Sequence, residues 1–169
     1  LWHAHYFLLS KIFMNTSSKP TPSPTTATEP FWSGCSQKKL LLRCCMACGA
    51  FNSPTRYVCR CGSADLGWTP SSGIGTVYSF TILHRAPDPS FKEDVPYVIA
   101  IIELAEGVRL MSNIMNCSPD SVYIGMQVQP FFELVINGLG VYKFMPLVWD
   151  QGNVFWFSYY WFPSYFYIY

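Results

Sequence analysis

The sequence predicts a mainly β protein: a short N-terminal helix, a rubredoxin-like zinc ribbon, then a five-stranded barrel of the oligonucleotide/oligosaccharide-binding (OB) type. Three observations carry that prediction. Five of the seven cysteines fall between Cys44 and Cys61. From Gly73 onward, runs rich in β-branched and aromatic residues alternate with Gly-marked turns. Charge is divided along the chain, with net +5 over residues 1–72 and net −3 over residues 73–146, inside an overall +1. Two physically different modules are therefore expected in 169 residues, a length that suits one domain or two small ones sharing a core. Half of the chain is apolar and 12% is charged, which excludes a disordered protein. The small net charge excludes polyanion binding driven by bulk charge alone.

The expected organisation is a disordered leader over residues 1–28, helix and ribbon over 29–70, the barrel over 71–146 and an aromatic tail over 147–169 that stands outside the fold. The opening LWHAHYFLLSKIF is interrupted by His3, His5 and Lys11 and has no small-residue cleavage site behind it, so it makes a poor signal peptide. NTSSKPTPSPTTATEP is Ser, Thr and Pro with little to bury. In VFWFSYYWFPSYFYIY, eleven of sixteen residues are aromatic and none is charged. That run is shorter than the about 20 apolar residues of a membrane span, is broken by Pro163 and lacks basic anchors. No membrane span and a cytoplasmic location are expected.

The helix is expected in EPFWSGCSQKKL, and the ribbon follows in RCCMACGAFNSPTRYVCRCGS. Without a secretory signal, clustered thiols favour metal over disulfides. Cys45-x2-Cys48-Gly49 converges two thiolates on a tight turn, and the glycine permits the positive φ such a turn needs. Cys59 and Cys61 form a second pair, again followed by a glycine, Gly62. This second pair is one residue short. Tetrahedral zinc with Zn–S of about 2.3 Å needs sulfurs about 3.8 Å apart, whereas an extended Cys-x-Cys separates its Cα atoms by roughly 6–7 Å. A bent backbone closes the gap, or Cys44 substitutes as a ligand. A structural zinc site of Cys45, Cys48, Cys59 and Cys61 is expected, with a degenerate, weakly binding ribbon as the alternative. Four protein ligands leave no open position for catalytic water. Cys35, in the helix, and Cys117, in NCSPD, are expected to be buried or surface thiols rather than nucleophiles.

The barrel strands are expected in GIGTVYSFTILH, YVIAIIEL, VRLMSNI, MQVQPFFELV and GVYKFM. Ala105-Glu106-Gly107 links the second and third as a hairpin, and Pro130 marks an edge or bulge. One helical turn with Pro119 first and Ser118 as its cap interrupts the connection at NCSPDSVYIG. Asn137-Gly138 turns the chain into the last strand. About 75 residues in five meander-connected strands fit a small, partly open OB barrel. Gly73 and Gly75 lack the third glycine and the helix of a phosphate-binding fingerprint.

With FWSGCSQKKLLLRC, the Cys-x2-Cys-Gly ribbon, GTVYSFTILHRAPDPSF, PYVIAIIELAEGVRLMSNI, IGMQVQPFFE and YKFMP in this order, residues 29–146 resemble the DUF35 family of zinc-ribbon plus OB-fold proteins. The resemblance implies a non-catalytic accessory subunit of acyl-CoA metabolism: a protein that docks on a thiolase-like enzyme, binds acyl-CoA or CoA, or bridges that enzyme to a second one. The chain departs from the family in its second knuckle, usually Cys-Pro-x-Cys, and in both end segments, which are expected to be read-through or the mark of a damaged open reading frame.

A catalytic set is hard to assemble, because His84 is the one histidine between residues 29 and 146. Lys38, Arg43, Arg56, His84, Arg85 and Lys143 are the candidate contacts for acyl-CoA or a partner. For the basic group around the ribbon, which includes Lys39 and Arg60, a solvated face is the plain alternative; for His84 and Arg85 it is a structural role at a strand end. Glu93, Asp94, Glu103 and Glu106 read as solvated loop and turn charges. Tyr78 and Phe80 share a face by alternation and, with Tyr97, Phe131 and Phe132, either stack a base or fill the core. A single-stranded nucleic-acid-binding module is the alternative function, opposed by the net negative barrel. A small hydrolase built on His84 or Cys117 is a remote third, and nucleic acid is not an expected partner.

Overall fold

The computed structural model describes residues 19–135 and 138–147. The expected leader as far as residue 18, Asn137 of the last turn and the aromatic tail from residue 148 lie outside the described residues. Residues 19–28 take a defined path: Lys19 forms an ion pair with Asp94 at 2.6 Å, and Arg43 Nη2 donates to the Ala27 carbonyl at 2.7 Å.

Helix α1 spans Glu29–Ser36, with Pro30 in its first turn, where the missing N–H costs nothing. It ends on a left-handed residue, Lys38 at φ 60°. The Lys38 N–H then reaches Cys35 O at 3.0 Å and the Lys39 N–H reaches Gly34 O at 2.8 Å, a Schellman closure that satisfies the last carbonyls. A lysine thus stands where glycine is usual.

Strands β1 (Leu41–Cys45), β2 (Phe51–Asn52) and β3 (Leu66–Pro70) form the ribbon sheet in the order β2-β1-β3. The barrel strands are β4 (Gly75–Leu83), β5 (Tyr97–Leu104), β6 (Arg109–Ile114), β7 (Gln127–Leu134) and β8 (Gly140–Pro146). They close in the order β4-β5-β6-β8-β7, so the barrel is complete rather than partly open. Closure comes from β8, which pairs antiparallel with β7 along its length and parallel with β6 at one bridge, Ile114 opposite Phe144. Strand β7 meets β4 only through Gln127 and Val128. Pro130 therefore sits where that edge has opened, and its missing donor is harmless.

Inward residues Val77, Val98, Ala100, Ile102, Leu110, Ile114, Val128 and Phe144 build the core, joined by Phe31, Cys35, Leu40 and Leu42 from the helix and ribbon. Helix α1 packs against β8, β1 and β7. Phe31 meets the ring of Tyr142 edge-on at 5.3 Å. A Cβ at Gly140 would lie 2.3 Å from Ser36 N and 2.4 Å from Cys35 C, so only glycine lets helix and strand approach this closely.

Two expectations need correction. A bulge between Val77 and Ser79 breaks the alternation of β4. Tyr78 turns out to solvent while Phe80 packs against the core, so they do not share a face. Glu106 is not simply solvated. It is half-buried, and its Oε1 accepts the Ser72 N–H at 2.7 Å, tying the hairpin to the linker between ribbon and barrel. Burial works to raise its pKa, but hydrogen bonds led by that from Ser72 outweigh burial and hold the carboxyl below its ordinary value. A depressed carboxyl stabilises the fold above its unfolded pKa, and that stability is lost as pH falls through the folded value. Glu106→Gln is expected to cost about 1 kcal/mol at neutral pH and nothing in strong acid, read from urea midpoints at several pH values.

Candidate metal centre

The first knuckle is set by local hydrogen bonding. The Cys45 N–H donates to Ala50 O and the Gly49 N–H to Cys45 O, with Gly49 at φ 72°. The second knuckle is not extended. The Gly62 N–H closes a turn on Cys59 O at 2.9 Å, the Cys59 N–H donates to Ser63 O at 2.8 Å, and Gly62 has φ 89°. That bend is how one intervening residue suffices where two are usual.

The outcome is a compact thiol cluster. Cys45 Sγ lies 3.6 Å from Cys61 Sγ, and Cys48 Sγ lies 3.6 Å from Cys59 Sγ. All four sulfurs fall within 4.8 Å of one another. Tetrahedral zinc asks for about 3.8 Å between sulfurs, so the four ligands fit the ion. Cys45 and Cys59 face the interior, and Cys48 and Cys61 the solvent. Cys44 is no substitute ligand, because its Sγ donates to the Gly49 carbonyl at 3.5 Å instead. Cys35 is fully buried, and burial pushes its thiol up to about 12, the mark of an inert packing residue.

The four thiols differ in how readily they give up a proton. The backbone N–H of Cys61 dominates at Cys59 and, with Cys48 and Asn52 donating against the effect of burial, brings the thiol down to about 6. At Cys48 the Ala50 N–H pulls downward, but contacts with Cys61, Cys45 and Cys59 prevail and push it up to about 12. A metal displaces those protons, so its affinity weakens as pH is lowered.

Sequence reading missed Asn52. It is the buried polar residue of the described chain, 6% exposed, and its Nδ2 donates to Ala50 O at 2.9 Å and Cys59 Sγ at 3.7 Å. Nothing in the sequence marks an asparagine on a two-residue strand as a thiolate donor. Outer-shell partners of this kind are worth about 10–100-fold in metal affinity. Asn52→Ala is expected to weaken zinc by that factor in a chelator competition, with the barrel's thermal unfolding unchanged.

The remaining candidate residues do not converge on one site. Arg43 is built into the ribbon, donating to Pro54 O and Ala27 O with its guanidinium 4.5 Å from the Trp68 ring and 5.4 Å from that of Tyr57. Lys38 forms the helix terminus, and Lys143 pairs with Glu133 across β7 and β8. His84 and Arg85 are exposed just past β4. Arg56 alone of the six lines a groove of about 570 Å³ between the ribbon and the β5–β6 hairpin, together with Arg60, Glu103 and Arg109. Among the described residues no helix is long and apolar enough to cross a membrane.

Comparison with known proteins agrees with this architecture. Residues 68–133 match the family described as ChsH2, C-terminal OB-fold domain. A "DUF35 domain-containing scaffold protein" of Methanothermobacter thermautotrophicus is 39% identical over 93 residues, covering 54% of this chain and 69% of that protein. A "Probable enoyl-CoA hydratase alpha subunit" of Thermomonospora curvata is 35% identical over 111 residues, covering 65% of this chain and 34% of that protein, so this chain spans about a third of its length. The solved structure "Ltp2-ChsH2(DUF35) aldolase" superposes with a TM-score of 0.68 at 32% identity, covering 76% of this chain and all of the matched one. Helix, thiol-clamped ribbon and closed barrel, together with these likenesses, place the chain in the DUF35 family.

Proposed function

We propose that this chain is a non-catalytic accessory subunit of an acyl-CoA-processing enzyme, docking on a thiolase-like protein and helping to hold acyl-CoA. The observation that carries the reading is the match to every residue of a DUF35 chain in an assembly named Ltp2-ChsH2 aldolase. Relatives named as scaffold proteins and as a hydratase α subunit support it from two directions. The chain's own residues agree. The thiol cluster offers four ligands and therefore a structural rather than hydrolytic metal. His84 stands exposed at a strand end. Zinc in this reading holds the ribbon's shape and supplies no chemistry.

The test is co-expression of the full chain with a thiolase-like protein of the same genome, followed by size exclusion. Co-elution, and a rise in thermal stability of the pair on adding acyl-CoA, is the expected result. Separate elution with no shift on adding acyl-CoA overturns the reading.

A further inference from the structure

We propose that Cys48 and Cys61 are oxidation sites, at which hydrogen peroxide converts the pairs Cys48–Cys59 and Cys45–Cys61 into disulfides that bridge the two knuckles, release zinc and keep the ribbon closed. The pairing follows from the geometry of the cluster. Cys45 Sγ stands 3.6 Å from Cys61 Sγ and Cys48 Sγ 3.6 Å from Cys59 Sγ, and each contact runs from one knuckle to the other. Each also joins an exposed thiol to a buried one: Cys48 and Cys61 face solvent, while Cys45 and Cys59 are 1% and 4% exposed. An oxidant arriving from water therefore meets Cys48 or Cys61 first, and a second sulfur already stands beside it. Redox-sensitive cysteines have this form, an accessible thiol next to a resolving one. The buried partners are held in place. The Cys45 N–H donates to Ala50 O at 2.9 Å, the Cys59 N–H to Ser63 O at 2.8 Å, and Asn52 Nδ2 reaches Cys59 Sγ at 3.7 Å. Cys44 stays apart, with its thiol on the Gly49 carbonyl, and Cys35 is fully buried.

The exposed sulfur attacks one peroxide oxygen, so that an S–O bond forms as the O–O bond breaks and the other oxygen leaves as water. The buried sulfur then attacks the oxidised one, the S–S bond forms, and the hydroxyl leaves as a second water. In sum, two thiols give up two electrons and two protons, and one hydrogen peroxide is reduced to two waters. A single such bond removes two of the four ligands, and the site no longer holds zinc. A disulfide needs its sulfurs about 2.0 Å apart, so the 3.6 Å gaps close by small movements. The two bonds join residues 16 and 11 apart, one loop nested in the other. Links of this kind restrict the opened chain, so the knuckles stay together without the metal. Bonds within a knuckle give no such closure, because they leave the two turns unattached. The shortened second knuckle also opposes its own internal bond, since Arg60 alone separates Cys59 from Cys61 and the ring would be cramped.

This exchange of a metal clamp for a covalent one concerns the ribbon alone and stands whether or not the chain docks on a thiolase-like protein. The zinc-loaded full chain is treated with hydrogen peroxide. Freed zinc is followed with a chromogenic chelator, while intact mass and peptide mapping count and place the disulfides. Zinc is expected to be lost completely as the bonds form, with Cys45 mapped to Cys61 and Cys48 to Cys59, and a dithiol reductant with added zinc is expected to restore the starting state. Met46 and Met111, 67% and 69% exposed, report indiscriminate oxidation in the same digest and are expected to remain thioethers. In two-dimensional amide spectra the oxidised, zinc-free chain is expected to keep the signals of residues 44–63 dispersed, whereas the reduced chain stripped by a chelator loses them. Cys44→Ser, which spares the cluster, is expected to respond as the parent does. Zinc retained until methionine sulfoxide accumulates, disulfides formed within a knuckle or to Cys44, or an oxidised ribbon that collapses like the stripped one overturns the proposal.

Discussion

Cys59→Ser is expected to abolish zinc binding and unfold the knuckle segment, residues 44–63, while the barrel strands stay paired. The ribbon has little else to hold it. Strand β2 is two residues long, and outside the thiols the buried apolar contribution of β1 is Leu42. A structural zinc in a small module contributes of order 10 kcal/mol, more than such a sheet gains from packing. In a two-dimensional amide spectrum the signals of residues 44–63 should collapse to random-coil positions, with those of β5 and β6 in place. Cys44→Ser is the matched control, because its thiol bonds a carbonyl and stands outside the cluster. Retained zinc stoichiometry there, with none in Cys59→Ser, distinguishes ligand from bystander. A folded, zinc-binding Cys59→Ser protein would refute the assignment.

Phe144→Ala is expected to cost about 3–5 kcal/mol, the loss of transfer energy plus the cavity left behind. Phe144 is fully buried, stands opposite Ile114 on one side and Pro130 on the other, and packs edge-on to Tyr142 at 6.4 Å. Its side chain is therefore the point where helix-side aromatics and barrel interior join. The denaturant midpoint should fall sharply, and Leu134→Ala, at a position 65% exposed, should leave it within about 0.5 kcal/mol. Equal effects from the two changes would mean the barrel interior is not the main support.

What the sequence made legible was local. Ligand spacing and trailing glycines mark the knuckles, and a run rich in β-branched residues marks Tyr97–Leu104 to the residue. The bulge at Tyr78 leaves no such trace, since it depends on pairing with β5, and it reversed the facing of one aromatic. Strand β3 went unpredicted because LGWTP is short and mixed; β1, its partner across the sheet, supplies what its own composition does not. Arg43 looked like one of a row of surface cations, and only folding reveals that it is sandwiched by Trp68 and Tyr57. Barrel closure was equally hidden, because a parallel contact between β6 and β8 is a property of the whole chain path. Asn52 and Glu106 were missed for the same reason: their partners, a thiolate and a distant amide, are reached only in three dimensions.

The single bridge between β6 and β8 has a dynamic consequence. The β4–β5, β5–β6 and β7–β8 seams are ladders of six or more rungs and β4–β7 has two, but here a single rung sets Ile114 opposite Phe144, with the Met115 amide donating to Phe144 O at 2.7 Å. Local opening costs least where the fewest bonds must part together. Deuterium is therefore expected to enter the Met115 amide well before those of Ile99 to Ile102, making this seam the place where the cylinder breathes.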